Sequence, residues 1–169
     1  PPWWQDRRDE LQRIAHERGS AYVYHRASSE LAARQLLAIR GVDRIFYAMK
    51  ANPHPELLKT FAGLGLSFEC VSRGECEHVL NVVPGIDPSR ILFTPNFAPR
   101  SEYEWALEQG VHLTIDNVYA LREWGELFRD RDVLIRIDTG FGRGHHDHVR
   151  TAGVHSKFGV PLFEMDEVE

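Results

Sequence analysis

Lysine and cysteine are both scarce in this 169-residue chain. Lys50, Lys59 and Lys157 are the only lysines among 20 basic residues, and Cys70 and Cys76 are the only cysteines. Two thiols provide no disulfide framework and fit a reducing cytoplasm. No apolar stretch approaches the ~20 residues of a membrane-spanning helix, and no signal-peptide pattern opens the chain. A basic surplus is missing as well. The formal net charge of -5 leaves no electrostatic footprint for nucleic acid or for an anionic membrane. Low-complexity segments and long linkers are absent. The chain begins Pro1-Pro2 rather than with a methionine, and so reads as a segment of a longer polypeptide.

What is present describes an ordinary globular domain: 43% hydrophobic and 27% charged residues, enough for a sizeable core. Strand-like apolar runs lie at 44–50, 66–71, 90–94, 111–116 and 132–138, starting about 20 to 24 residues apart. Helical patterns fill the gaps at 56–63, 75–83, 101–110 and 117–129. An earlier helix spans 28–40, with Ser28 and Ser29 as its cap region and Gly41 as its stop. This rhythm predicts an α/β fold of about five parallel strands. Five such units wind either an open doubly wound sheet or part of an eight-stranded barrel. A complete barrel typically needs ~250 residues, so this chain cannot close one alone. The opening differs, with an amphipathic helix at 5–18 and a short strand at 21–25.

Lys50 is the most informative residue. The run Arg44-Ile45-Phe46-Tyr47-Ala48-Met49-Lys50-Ala51-Asn52-Pro53 reads as a buried strand stopped by Asn-Pro three residues beyond the lysine. In a barrel of strands and helices, the end of the strand is the catalytic edge. A lysine there is expected to be partly desolvated and usable as a nucleophile toward the carbonyl of a bound aldehyde cofactor. The competing reading is a strand-end lysine paired with a carboxylate or lying in solvent. On position alone that plainer reading wins.

Parallel strands would bring further polar residues to the same edge: Asn52, then Glu69, Ser72 and Arg73, then Thr94 and Asn96, then Asp116 and Asn117, and lastly Arg136, Asp138 and the loop 140–144. Singly, each fits a cap or turn role, and Asp116-Asn117 stands where a helix N-cap is wanted. Gly140-Phe141-Gly142-Arg143-Gly144 fails as a phosphate loop, because its third glycine comes one position early and no Gly-Lys-Ser/Thr follows. His145, His146, Asp147, His148 and His155 lack the helical i, i+4 pair of a zinc site, so a hydrogen-bonding role near the pocket is favoured over a metal. Cys70 reads as a small buried apolar residue, and Trp3-Trp4 as packing.

Four strings together resemble the fold-type III, alanine-racemase-like pyridoxal-phosphate enzymes, on the diaminopimelate decarboxylase branch. They are Phe46-Tyr47-Ala48-Met49-Lys50-Ala51-Asn52, Leu66-Ser67-Phe68-Glu69-Cys70-Val71-Ser72-Arg73-Gly74-Glu75, Asn96, and the block from His145 through Thr151 to Ser156-Lys157-Phe158-Gly159. The resemblance implies a partial (β/α)8 TIM-type barrel, with residues 1–26 belonging to a second, β-rich domain and residues 27–169 to the barrel. It implies pyridoxal 5'-phosphate as cofactor, held by Lys50, which later helps to shuttle protons. Glu69 would orient that lysine, and Arg136 would line the pocket. Arg143 would contact the ring hydroxyl, and Lys157 would sit at the contact of a homodimer.

The implied reaction is decarboxylation of an amino acid, meso-diaminopimelate to L-lysine and CO2, by the parent protein; some such decarboxylases are fused to an aspartate kinase, which this segment does not decide. An amino-acid racemase and a non-catalytic regulatory homologue are the alternatives. Ornithine and arginine decarboxylases share the lysine motif. After Gly159 the family's His-x-Gly-Ser strand, Gly-Gly-Gly phosphate loop, Glu-Pro-Gly-Arg segment and cysteine-containing substrate motif are missing. The chain by itself is therefore expected to bind cofactor poorly and to turn over nothing measurable.

Overall fold

The computed structural model describes residues 2–140, 153 and 157–168. Five strands form one sheet in the order β1-β2-β3-β4-β5: Phe46–Ala48, Ser67–Cys70, Ile91–Phe93, His112–Ile115 and Leu134–Ile135. All four neighbouring pairs are parallel. A strand order that never reverses, joined by right-handed crossovers, puts every connecting helix on one face. A doubly wound sheet needs a reversal, so this is an arc of a (β/α)8 barrel. The connecting helices are α4 (Pro55–Leu64), α5 (Arg73–Val82), α6 (Arg100–Gln109) and α7 (Val118–Phe128); α1 (Trp3–Asp6), α2 (Arg8–Arg18) and α3 (Arg26–Leu37) precede the sheet. None of the described helices is long and apolar enough to cross a membrane.

Local chemistry explains the helix ends. Ser72 caps α5 by accepting the Glu75 N–H at 3.2 Å, and the Glu75 carboxylate reaches back to the Val71 N–H at 2.8 Å. That exchange is a capping box shifted by one residue. Asn117 caps α7 through the Ala120 N–H. Gly65 ends α4 at φ +101°, a conformation open to glycine at little cost.

Register partners in a parallel sheet point to the same face. Tyr47, Phe68, Cys70, Ile91, Phe93, Leu113 and Ile115 share the face that meets the helices. The Tyr47 ring lies 4.8 Å from Phe61 of α4, and Phe93 lies 6.5 Å from Trp105 of α6. Phe68, Ile91, Phe93 and Ile115 are fully buried there, with Leu58, Val79, Tyr103 and Ala106 of the helices. The opposite face, with Phe46, Ala48, Glu69, Leu92 and His112, is only partly covered, and Leu134 is 45% exposed.

Several expected boundaries shift. The run 44–50 forms a strand only to Ala48; Met49–Ala51 turns into a 3-10 helix, because Asn52 N–H bonds back to the Met49 carbonyl. The run 132–138 divides at Arg136, whose N–H bonds to Ile115 while its carbonyl accepts from Val160. Beyond it β6 (Ile137–Asp138) pairs in parallel with β7 (Val160–Pro161). Residues 21–25 form no strand, since no described strand lies alongside to supply the ladder, and Tyr22 is 91% exposed. Helix α3 starts at Arg26 rather than Ser28, with His25 Nδ1 2.9 Å from Ser28 Oγ.

Candidate active site

The carboxyl ends of the strands gather the polar residues. Lys50 follows β1 in the 3-10 turn, where Met49 is 2% exposed and anchors the backbone from below. Lys50 itself is exposed rather than partly desolvated. The reason is the open rim: the described helices cover one face of the sheet, and a side chain leaving the end of β1 meets solvent. Among the described residues its amine has no ion pair or hydrogen bond. Lys59, by contrast, is tied to Glu56 at 3.0 Å on α4, and the Lys157 amine lies 5.3 Å from the Phe158 ring.

Glu69 stands beside Ala48 in register, half-buried, and accepts a hydrogen bond from Thr94 Oγ1. The Thr94 N–H in turn bonds to the Cys70 carbonyl at 2.8 Å. Arg136 holds its guanidinium 4.7 Å over the Phe158 ring, a cation–π contact that fixes a charge that water would otherwise surround. The stretch carrying Phe158 reaches the strand through Gly159. A side chain at that position would place its Cβ 2.9 Å from Asp138 N and 3.1 Å from the Arg136 carbonyl, so only glycine permits this approach. Asp138 is nearly buried and accepts from the Gly140 and Gly153 N–H groups, each at 2.9 Å from Oδ1.

Asp116 and Tyr103 are titratable groups packed together out of solvent. Burial pushes the Asp116 carboxyl above the usual aspartate range, opposed by the Asn117 side-chain amide at 2.7 Å and by the Arg136 charge. Burial, and then the Asp116 charge, push the Tyr103 hydroxyl up. The hydroxyl lies close enough to feel that charge, yet no hydrogen bond closes on it within good geometry; Asp116 Oδ2 and Asn96 Oδ1 are likewise buried without a partner. Cys70 and Cys76 are free and buried, and their contact together with burial raises the Cys70 thiol.

Lys50, Glu69, Thr94, Asn96, Asp116 and Arg136 all stand at or just beyond the carboxyl ends of parallel strands. Ser72 and Asn117 are spent as caps. Arg73 turns outward, 2.7 Å from Glu77 and 5.0 Å over the Trp105 ring. Arg143, the histidines 145, 146, 148 and 155, and Ser156 lie outside the described residues. Among the described residues no group of three or more metal-ligating side chains is placed to hold an ion. Sequence reasoning missed Tyr47, His78, Tyr103 and Phe158 as participants. Their aromatic or helical spacing signals only packing, and their polar partners are set by tertiary contact. A groove of about 580 Å³ between α2, residues 21–24 and α4, lined by Ile14, Tyr22, Tyr24 and Leu57, includes none of the rim residues.

An unpaired primary amine, a carboxylate anchored by a hydroxyl, and a guanidinium fixed on an aromatic ring suit an anionic aldehyde, and pyridoxal phosphate is one. Residues 26–168 match the family described as pyridoxal-dependent decarboxylase, pyridoxal binding domain. The chain is similar to the diaminopimelate decarboxylase of Methanothermobacter thermautotrophicus, 35% identical over 74% of this chain and 29% of that protein. It is also similar to the ornithine decarboxylase of Neurospora crassa, 39% identical over 72% of this chain and 24% of that protein. Among solved structures it resembles diaminopimelate decarboxylase from Helicobacter pylori complexed with L-lysine, with TM-score 0.77 and 26% identity over 94% of this chain and 41% of that one. The chain spans less than half the length of each of these proteins. It belongs to the pyridoxal-dependent decarboxylases, and residues 26–168 correspond to their pyridoxal-binding domain.

Proposed function

We propose that this chain is the cofactor-holding part of an amino-acid decarboxylase, with meso-diaminopimelate as substrate and L-lysine and CO2 as products. One observation carries the reading: of three lysines, only Lys50 stands on the strand-end rim with its amine unengaged among the described residues. Lys50 Nζ is the atom to which the cofactor attaches. Pyridoxal phosphate supplies, when bound, an aldehyde carbon for that attachment and a ring that accepts the electron pair freed as CO2 leaves.

The chain's own residues orient and place charge. Glu69, steadied by Thr94, sets a negative charge beside β1 that aims the Lys50 ammonium. Arg136, laid over Phe158, offers a fixed cation to an anionic group in the pocket, and the resemblance assigns Arg143 a contact with the ring hydroxyl. Lys50 Nζ would also be the group able to hold and return a proton during turnover. In the overall change the bond from Cα to the carboxylate breaks, CO2 departs, and a proton takes its place. The same reading puts two copies together, with the exposed Lys157 at their contact.

Ornithine is the second substrate to weigh, because the Neurospora ornithine decarboxylase is as similar to the chain as the diaminopimelate enzyme. The test is CO2 release by the protein that carries this chain, from meso-diaminopimelate, L-ornithine and L-lysine in parallel, with alanine racemisation measured alongside. Release from diaminopimelate alone is expected. Release from ornithine alone replaces the substrate, racemisation without CO2 replaces the reaction, and neither points to a regulatory homologue.

A further inference from the structure

The four residues from Ala51 to His54 join the Lys50 turn to α4, and side chains hold their backbone from several directions. The Tyr47 hydroxyl donates to the Asn52 carbonyl at 3.3 Å. The next carbonyl, of Pro53, takes a hydrogen bond from His78 Nε2 at 2.9 Å. Asn52 N–H returns to the Met49 carbonyl at 3.1 Å, and Asn52 Oδ1 accepts from the His54 N–H at 3.0 Å. His54 Nδ1 then caps α4 by accepting the Glu56 N–H. All of these contacts are local except one: His78 lies 25 residues away from Pro53, on α5. It is the strut that ties the stretch after Lys50 to a different strand–helix unit.

A carbonyl oxygen only accepts, so His78 must carry its proton on Nε2, and both the neutral and the charged imidazole can supply it. The Lys50 side chain has four rotatable bonds and no partner among the described residues. The reach of its amine is then set by where the turn holds its Cα. A single 3-10 turn is a weak holder by itself, and small misplacements of a reacting group are costly.

We propose that His78, assisted by Tyr47, is a positioning residue for Lys50: by holding the carbonyls of Pro53 and Asn52 it fixes the turn that presents the lysine amine at the rim. This rests on the reading of Lys50 as the cofactor-attaching amine. It deepens that reading by assigning the lysine's aim to an α5 residue that touches neither lysine nor cofactor.

The experiment uses the whole protein that carries this chain, pyridoxal 5'-phosphate as probe, borohydride to trap what has attached, and peptide mapping to give the ratio of label at Lys50 to label at Lys59 and Lys157. Wild type is expected to favour Lys50. His78→Leu should lower the ratio about fivefold, the range set by loss of one neutral hydrogen bond. His78→Gln, which keeps an N–H donor, should recover most of it, and Tyr47→Phe should lower it about twofold. A merely structural role would reduce the thermal midpoint without moving the ratio, because Lys59 and Lys157 report on the same molecules. Equal ratios in wild type, His78→Leu and His78→Gln overturn the positioning role even when the variants are less stable. Wild-type label spread evenly over the three lysines overturns instead the reading of Lys50 on which the proposal stands.

Discussion

The two faces of the five-stranded sheet are built from alternate residues of the same short strands, yet they are finished very differently. On the helix side, Phe68, Ile91, Phe93 and Ile115 are fully buried beneath α4 to α7. On the other side Glu69, Leu92 and His112 remain partly open, and Leu134 is 45% exposed. The first face resembles the interior of any small domain, where each fully buried large side chain contributes roughly 1.5–3 kcal/mol. The second runs out at the rim that bears Lys50, Thr94 and Arg136. Within one sheet, cohesion and chemistry are therefore assigned to opposite sides, and a substitution should report which side it is on.

The largest effect is expected at Lys50. Lys50→Ala should cut turnover of the protein carrying this chain by on the order of 10³-fold or more, since on the proposed function it removes both the attachment point and a proton carrier. Its folding free energy should stay within about 0.5 kcal/mol of wild type, because the side chain is exposed. CO2 release and chemical denaturation of the same preparation check both halves. Normal turnover in that variant would break the assignment of chemistry to the rim.

Phe68→Ala should do the reverse, costing about 3–5 kcal/mol of stability by removing a ring buried on all sides. A urea midpoint measurement reads this directly. A loss below about 1 kcal/mol would mean that the helix-side face is not the main source of cohesion.

Asp116 sharpens the comparison, because it is a polar group at the rim that is 1% exposed. Burial raises its pKa in the folded state above the unfolded aspartate value. The contribution of this group is therefore most favourable at acid pH below the unfolded value, and is lost as pH climbs through the raised folded value. Asp116→Asn should flatten that part of the curve, so that its stability relative to wild type improves between about pH 4 and neutrality. Denaturation at several pH values tests the sign, and a variant that loses ground as pH rises contradicts it.

The smallest change belongs to the open face. Leu134→Ala should cost less than about 1 kcal/mol, since nearly half of the side chain is already in water. Denaturation beside Phe68→Ala gives the contrast in one experiment. Equal losses would show that something covers the inner face.

The sequence carried the order and spacing of the strands because each is a short apolar run bounded by glycine, proline or a helix cap. It could not carry their ends. Met49 and Lys50 continue the apolar run in pattern, but the chain curls at Met49, and no periodicity separates a strand from a 3-10 turn over three residues. Residues 21–25 read as a short β-branched and aromatic strand, but a strand exists only against a partner. The run 132–138 divides because Arg136 bonds to one neighbour through its N–H and to another through its carbonyl. The strand-end positions of Lys50, Glu69 and Arg136 were legible because polar residues ending apolar strands of a parallel sheet share an edge. Arg73 was misassigned to that edge because Glu77 and Trp105 draw it outward. His78 gave no signal at all, since its partner is a backbone carbonyl that any residue could have offered.

The strand order has a consequence for how the chain is made. Within the five-stranded sheet, each strand after β1 pairs with the one synthesised just before it: Phe46 with Ser67, Phe68 with Ile91, Leu92 with His112, Thr114 with Leu134. At ribosomal speeds of roughly 5–20 residues per second, a new strand emerges every ~1–4 seconds, long after hairpin-scale rearrangements have finished. On the growing side, the waiting edge is the newest and its partner is the next strand to arrive. A nascent chain built this way can grow its sheet one strand at a time without holding a distant segment unpaired.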